Sequence, residues 1–463
     1  MDTMRISLRA IGAASLIFAI GACDEGSDAS SVSGISPSAL QVAAPSSVPV
    51  YTVTPINAIV GLRVNPTGDV AGWTTATGLP MLYTAENGVI VLPNSSSQPY
   101  GVARDLSARQ SGVITVVGEA RLPSTGSAIH AVRWKVAVPQ GTVVSTTDLG
   151  VLPGAFESFA QGVNGAGQIV GTSDPSSLLS IRSFIYSGSS GMVDLGLGGA
   201  GQNARALDLN AAGMVTGYLG LTAFRWTQAG GLQSLGTPAG FPNSFGFAIN
   251  NAGQVGGYAG TASGNAQVIA RYSDGSGWKV LGGLGQRNEG NGINLWGDVV
   301  GTGFPRTGSS PSVRAVIYTD ILGVLTYVDD LLLAPGSWKI MAAYDINDAQ
   351  QITGWGINNQ TGLRSAVLLT PVSGPVNQPP VARFTAVCSP GKCVLDATGS
   401  TDDAGITSYG WKASVANRPA KTGPVITRFW LAAGGNTYVE TLTVRDAGGL
   451  TGTRKMTVVI PSP

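Results

Sequence analysis

Ile249-Asn250-Asn251-Ala252-Gly253-Gln254-Val255-Gly256-Gly257 is the stretch whose reading decides the fold. Aliphatic and β-branched residues run up to an Asn-x-x-Gly corner and away from it, and Asn and Gly are residues that tolerate the positive φ of a tight turn. The stretch therefore reads as two short strands joined by a hairpin. It recurs as Leu209-Asn210 to Gly217, Val163-Asn164 to Gly171 and Ile293-Asn294 to Gly301, and more weakly as Val64-Asn65 to Gly72 and Ile346-Asn347 to Gly354, the last with Gln350 in place of the turn glycine. A degenerate copy lies between Leu106 and Gly118.

Each hairpin is followed by a run ending in an aromatic residue, such as Ala223-Phe224-Arg225-Trp226, and by a short run ending in Leu-Gly, such as Ser234-Leu235-Gly236. That makes four strands per unit. Asn164, Asn210, Asn250 and Asn294 follow one another at steps of 46, 40 and 44 residues, and Asn347 comes 53 later. Four strands every 40 to 50 residues is the period of propeller blades rather than of helical solenoids. Counting the degenerate copy, the expectation is an all-β, seven-bladed, propeller-like repeat domain. The last unit stops after Ala366-Val367-Leu368-Leu369 without its fourth strand, and the run Val48 to Val53 precedes the first unit. The early run is expected to complete the last blade.

These units resemble a bacterial extracellular repeat family named after its His-Ala-Phe (HAF) tripeptide. His130-Ala131-Val132-Arg133-Trp134 alone keeps the histidine; Thr222, Arg182 and Arg314 stand there in other units. The resemblance covers residues 48–369 and implies an architecture, not an activity. A second resemblance follows from Pro379-Pro380-Val381-Ala382-Arg383-Phe384, Leu395 to Asp403, Ile406 to Trp411 and Tyr438 to Asp446. This segment is similar to a polycystic kidney disease (PKD) domain, which implies an immunoglobulin-like β-sandwich over residues 379–463 after a linker at 372–378. Its alternating runs bounded by Gly, Asp and Ser agree with a sandwich. It departs from the family after Trp411, where Lys412-Ala413-Ser414 replaces the usual Asp-Phe-Gly.

At the start of the chain, Arg5 and Arg9 precede an apolar run from Ala10 to Ala22 that is too short to cross a bilayer as a helix, and the run ends in Ile20-Gly21-Ala22-Cys23. Residues 1–22 are expected to be a signal peptide, with Cys23, as in the bacterial lipoproteins that the segment resembles, carrying the lipid. Residues 23–47, rich in Ser, Ala, Asp and Pro, read as a flexible tether. The expected place is a bacterial cell envelope, periplasmic or at the cell surface, with the membrane as a partner through the lipid.

Composition fits an exported β protein: 66 Gly, 26 Pro, 11% charged residues and a net charge of +1. Lysines and arginines are scattered singly, so no nucleic-acid partner is expected. Cys388 and Cys393, separated by Ser-Pro-Gly-Lys, are most simply a disulfide in an oxidising compartment. His130 is the sole histidine, which leaves no His-based zinc site, and Gly-x-Ser-x-Gly does not occur. The run Gly196 to Gly201 matches G-x-G-x-x-G but leads to a hairpin, not a helix, and reads as an inter-blade turn. No cofactor is expected. Asp329-Asp330 and Asp402-Asp403 offer oxygen ligands for Ca²⁺, with solvated turns as the favoured reading.

An aromatic residue follows the second-strand glycine in four units: Trp73, Tyr218, Tyr258 and Trp355. These are the ligand-binding candidates, for stacking on sugars or peptide side chains. Packing between blades is the favoured alternative. The overall expectation is a lipid-anchored, non-enzymatic protein that acts in surface adhesion or in glycan or protein binding. The alternatives are a polysaccharide- or peptidoglycan-acting enzyme that uses Asp/Glu on a propeller face, and a periplasmic scaffold.

Overall fold

The computed structural model describes residues 48–372 and 380–461, apart from 75–77, 96, 98, 175–180, 189, 198–202, 263–265, 305–312, 403–404, 416–417, 430–436 and 447–450. The chain divides between Val372 and Ser373 into two compact units. No helix among the described residues is long and apolar enough to cross a membrane.

The first unit consists of four-stranded antiparallel sheets laid down in chain order. The first joins Val60–Val64, Val70–Trp73, Pro80–Thr84 and Gly88–Val91; the second Gly101–Leu106, Val113–Ala120, His130–Ala137 and Thr142–Asp148. The third joins Glu157–Val163, Ile169–Asp174, Arg182–Ser187 and Gly191–Asp194; the fourth Ala204–Leu209, Val215–Leu219, Thr222–Thr227 and Gly231–Ser234. Asn243–Ile249, Val255–Gly260, Gln267–Ser273 and Gly277–Gly282 make the fifth, and Arg287–Ile293, Val299–Phe304, Arg314–Tyr318 and Thr326–Tyr327 the sixth. The seventh takes Trp338–Ile346, Ile352–Asn358 and Arg364–Pro371 from the end of the unit and Tyr51–Ile56 from its start. In that closing pair Tyr51 faces Pro371 and Ile56 faces Ala366. The closing strand thus lies three residues later than Val48 to Val53, and it carries Pro55 opposite Val367, as an edge strand can.

The core sits between sheets rather than at one centre. Ala223, Leu235, Ile249 and Val255 join the fourth and fifth sheets, and Ile56, Val64, Met81, Ala366 and Leu368 join the seventh to the first. Each sheet is a meander with an apolar face on both sides near the axis, so it is stable only with a neighbour on each side, and a circuit gives every sheet two.

The repeated Asn has a different task from the one expected of it. The positive φ belongs to the glycine: Gly253 has φ 77° and Gly213 has φ 75°, while Gln350 takes φ 58° where the glycine is missing. No motif asparagine is among the positive-φ residues. Instead, the Asn250 Oδ1 accepts from the Ala252 and Gln254 amides at 3.0 and 2.9 Å, which folds the corner. Its Nδ2 donates to the Asn294 carbonyl of the next sheet at 2.8 Å. Asn164 donates in the same way to Asn210, Asn210 to Asn250, Asn347 to Asn65 and Asn65 to Ser107. Gln110 to Gly165 and Leu295 to Asp348 supply the remaining links. A belt of side-chain hydrogen bonds therefore runs from sheet to sheet and back to the first.

The second motif glycine is needed for a different reason. The innermost strand bulges in every sheet, once in the first six, as between Gly246 and Ala248, and twice in the seventh. The bulge turns the Phe245 carbonyl beneath Gly257, where a Cβ would collide with it.

The second unit packs a three-stranded sheet of Thr385–Ser389, Lys392–Asp396 and Val425–Phe429 on a four-stranded one of Lys421–Thr422, Ile406–Ala413, Thr437–Asp446 and Thr451–Val459. Trp411 fills its core, edge-on to Phe384 at 5.0 Å. Arg428 and Glu440, both buried, pair at 2.7 Å from opposite sheets. Cys388 and Cys393 face each other across the Pro390-Gly391 turn and are joined by a disulfide.

Candidate ligand-binding mouth

Innermost strands run toward the Asn corners, so the turns between second and third strands and the connections between sheets gather at the other end of the first unit. That end is called the mouth here. The side chains that reach it come from three places in each repeat: the residue after the second-strand glycine, its cross-strand partner, and the bulge residue.

Along the axis, at the position two before each motif Asn or Ser107, stand Arg63, Asp105, Gly162, Asp208, Ala248, Gly292 and Asp345. The Asp105, Asp208 and Asp345 carboxylates accept from the amides of Val163, Ile249 and Val64, each in the following sheet, at 2.7 to 3.0 Å. Arg63 lies 3.4 Å from Asp345 and 3.7 Å from Asp208. Burial pushes Asp105 up to about 7 and Asp345 up to about 6, against the pull of Arg63. One cation and three acids hold the axis.

The four aromatic candidates all lie at the mouth and are half-buried. Two of them are brought together. Tyr258 stacks on its cross-strand partner Phe245 at 4.6 Å and lies 5.5 Å from Phe247, the bulge residue. Tyr218, from the fourth sheet, meets Phe245 edge-on at 4.8 Å. Four rings thus span two sheets, and Arg205 lies over the Tyr218 ring at 5.6 Å. Trp355 is placed separately in the seventh sheet, under Arg364 at 3.9 Å and beside Tyr344. Trp73 holds the equivalent position in the first sheet, paired with Val60. Phe245, Phe247 and Tyr344 were not singled out from sequence. Their signal is positional, five or three residues before the motif Asn.

Carboxylates share the mouth. Glu119, fully buried, receives two hydrogen bonds from Arg104 at 2.5 and 2.6 Å. Glu157 and Asp174 face each other across the third sheet. Burial pushes Asp174 up to about 7, with Arg205 pulling it down and Glu157 pushing it further up. Burial also raises Glu157, opposed by Arg121. Phe156, Leu221 and Leu363, 52%, 58% and 68% exposed, stand in the loops around this end.

Other candidates are accounted for by nearby groups. His130 sits at the start of a third strand with its Nδ1 2.9 Å from Asp148. Asp329 and Asp330 pair with Arg314 at 3.0 and 3.3 Å. Among the described residues no three His, Cys, Asp or Glu side chains gather as a metal site would require. Cys23, Asp403 and 198–201 of the glycine-rich run lie outside the described residues.

No family model matches the chain, and no curated protein does either. Solved structures similar to it include the PKD1 domain of the Vibrio cholerae metalloprotease PrtV, at 30% identity over 18% of this chain and 100% of that one, with a TM-score of 0.17. Virginiamycin B lyase from Staphylococcus aureus is similar at 12% identity over 70% of this chain and 99% of that one, with a TM-score of 0.42. The Hadza microbial sialidase Hz136 matches at 10% identity over 64% of this chain and 73% of that one, with a TM-score of 0.33. Carbohydrate-binding modules and the extracellular domain of a putative two-component system from B. thetaiotaomicron are also among the similar structures. The lyase and the sialidase are enzymes, and the expectation of a non-enzymatic chain is corrected on that finding. The residue inventory excludes histidine- and serine-elbow chemistry but not carboxylate chemistry, and Glu157 faces Asp174 at the mouth.

Proposed function

We propose that this protein is an exported, lipid-anchored component of a bacterial cell envelope that binds a glycan or protein ligand. In this reading the first unit is a seven-bladed HAF-repeat propeller whose mouth is the binding face, and residues 379–463 form a PKD-like sandwich. Cys23 carries the lipid and residues 23–47 are the tether. The observation that carries the binding role is the asymmetry of the two ends. The Asn end is drawn together by short turns and the hydrogen-bond belt, whereas the mouth offers half-buried aromatic rings beside charged groups, the mixture that ligand sites use.

The test is a screen of envelope polysaccharides and proteins with the tether-free chain, comparing Trp73→Ala and Trp355→Ala with the unchanged protein. Loss of about 1 to 3 kcal/mol of affinity at unchanged melting supports the reading. Retention unaffected by either change counts against it.

Glu157 opposite Asp174 favours a second reading, polysaccharide cleavage by a carboxylate pair. Turnover of a retained polysaccharide, abolished in Asp174→Asn, would establish it.

A further inference from the structure

The strongest unassigned group at the mouth lies where the third, fourth and fifth sheets meet. Phe245, Phe247, Tyr218 and Tyr258 present a partly open aromatic surface, with the Phe245 and Tyr258 planes 26° apart and those of Tyr218 and Phe247 28° apart. Such a surface suits the C–H face of a sugar ring. Beside it stand Asp174 and Arg205. Each keeps a buried polar atom, Oδ1 of Asp174 and Nη1 of Arg205, that makes no hydrogen bond within the protein. A buried donor and a buried acceptor without partners are costly, and their chemistry indicates what satisfies them. Neighbouring hydroxyls of one sugar ring supply both partners, one donating to the carboxyl and the next accepting from the guanidinium.

The charges around the mouth set the ligand's charge. Arg104 is paired with Glu119 and Arg287 with Glu289, Arg205 faces Asp174, and Arg121 faces Glu157. Cations and carboxylates alternate, leaving no field of one sign to attract a polyanion.

We propose that Tyr218, Phe245, Phe247 and Tyr258, with Asp174 and Arg205, form a subsite for one ring of a neutral, hydroxyl-rich polysaccharide. The aromatic surface stacks on the apolar face of the sugar, and Asp174 and Arg205 bind adjacent hydroxyls. This rests on the mouth being the binding face and adds the ligand's class and the residues that read it.

Affinity electrophoresis of the full chain in gels cast with neutral polysaccharides (β-1,4-glucan, β-1,3-glucan, α-1,4-glucan and mannan) and with alginate and polygalacturonate tests it. At least one neutral polymer should retard the protein, with retardation unchanged between about 0.05 and 0.5 M NaCl. Tyr258→Ala and Asp174→Asn should each weaken retardation about tenfold or more, and Tyr258→Phe, which keeps the ring, should retain most of it. Melting curves establish that each variant is folded. Retardation only by a polyuronate, salt-sensitive and lost in Tyr258→Ala, overturns the neutral class but leaves the mouth as binding face. No retardation by any polymer, or retardation indifferent to Tyr258→Ala, overturns the subsite.

Discussion

Asn250→Ala is the substitution that most directly probes how the first unit is held together. Asn250 is 5% exposed and makes four hydrogen bonds: two accepted from Ala252 and Gln254, and two donated to Gln254 Oε1 and the Asn294 carbonyl, all between 2.8 and 3.0 Å. A net contribution of roughly 0.5 to 1.5 kcal/mol for each, with buried amides left unsatisfied, places the loss at about 2 to 5 kcal/mol. For a domain of this size that corresponds to a drop of about 3 to 7 °C in Tm. Asn251→Ala is the control. Asn251 is exposed and makes one inter-sheet contact, to the Ala211 amide at 3.0 Å, so its loss should cost under about 1 kcal/mol. Scanning calorimetry of the two variants measures the difference. If Asn250→Ala melts with Asn251→Ala, the belt is incidental to stability and the first unit is held by packing between its sheets alone.

The axial acids predict a pH dependence. Asp105 and Asp345 have folded-state values raised above the ordinary carboxyl range by burial. Their contribution is therefore complete below about pH 4 and is lost as pH rises through about 6 to 7. Melting of the first unit should be higher at pH 5.5 than at pH 8 (~), and Asp105→Asn should flatten that slope; a slope unchanged in the variant would exclude these groups as its origin. Reduction of the Cys388–Cys393 disulfide, which closes a short loop, should destabilise only the second unit, by about 2 kcal/mol. A shift in the first unit's transition would refute that. Glu440→Ala leaves Arg428 buried without its carboxylate and should cost the second unit about 3 to 5 kcal/mol by urea denaturation; a change below about 1 kcal/mol would mean that water replaces the carboxylate.

The fold was legible because its repeat is local. Asn-x-x-Gly-x-Val-x-Gly names its own turn and strands, and a period near 40 residues with four strands admits few architectures. The mechanism behind the motif was not legible. Nothing in a single copy shows that Asn250 reaches the carbonyl of Asn294, because that contact exists only once neighbouring sheets are in place. The same holds for Arg63, whose partners Asp208 and Asp345 lie far along the chain and come within reach only at the axis. Among the aromatic residues, a register count picked out Tyr218 and Tyr258 but missed Phe245 and Phe247, because the strand bulges between Gly246 and Ala248 and no residue type marks that bulge. The carboxylates of the mouth escaped for a related reason. Glu157 and Asp174 are ordinary polar residues in their own strands and meet only through the pairing of those strands, while Glu119 comes near Glu157 only from the neighbouring sheet.

Hydroxyl-radical footprinting of the full chain with a retained polysaccharide shows whether ligand binds at the mouth. Oxidation of Tyr218, Phe247, Tyr258 and Trp355 should fall when the polymer is present, while Leu295 and Trp296, in an Asn corner at the opposite end, stay as reactive as before. Protection confined to the Asn corners, or to residues 380–461, would contradict the assignment.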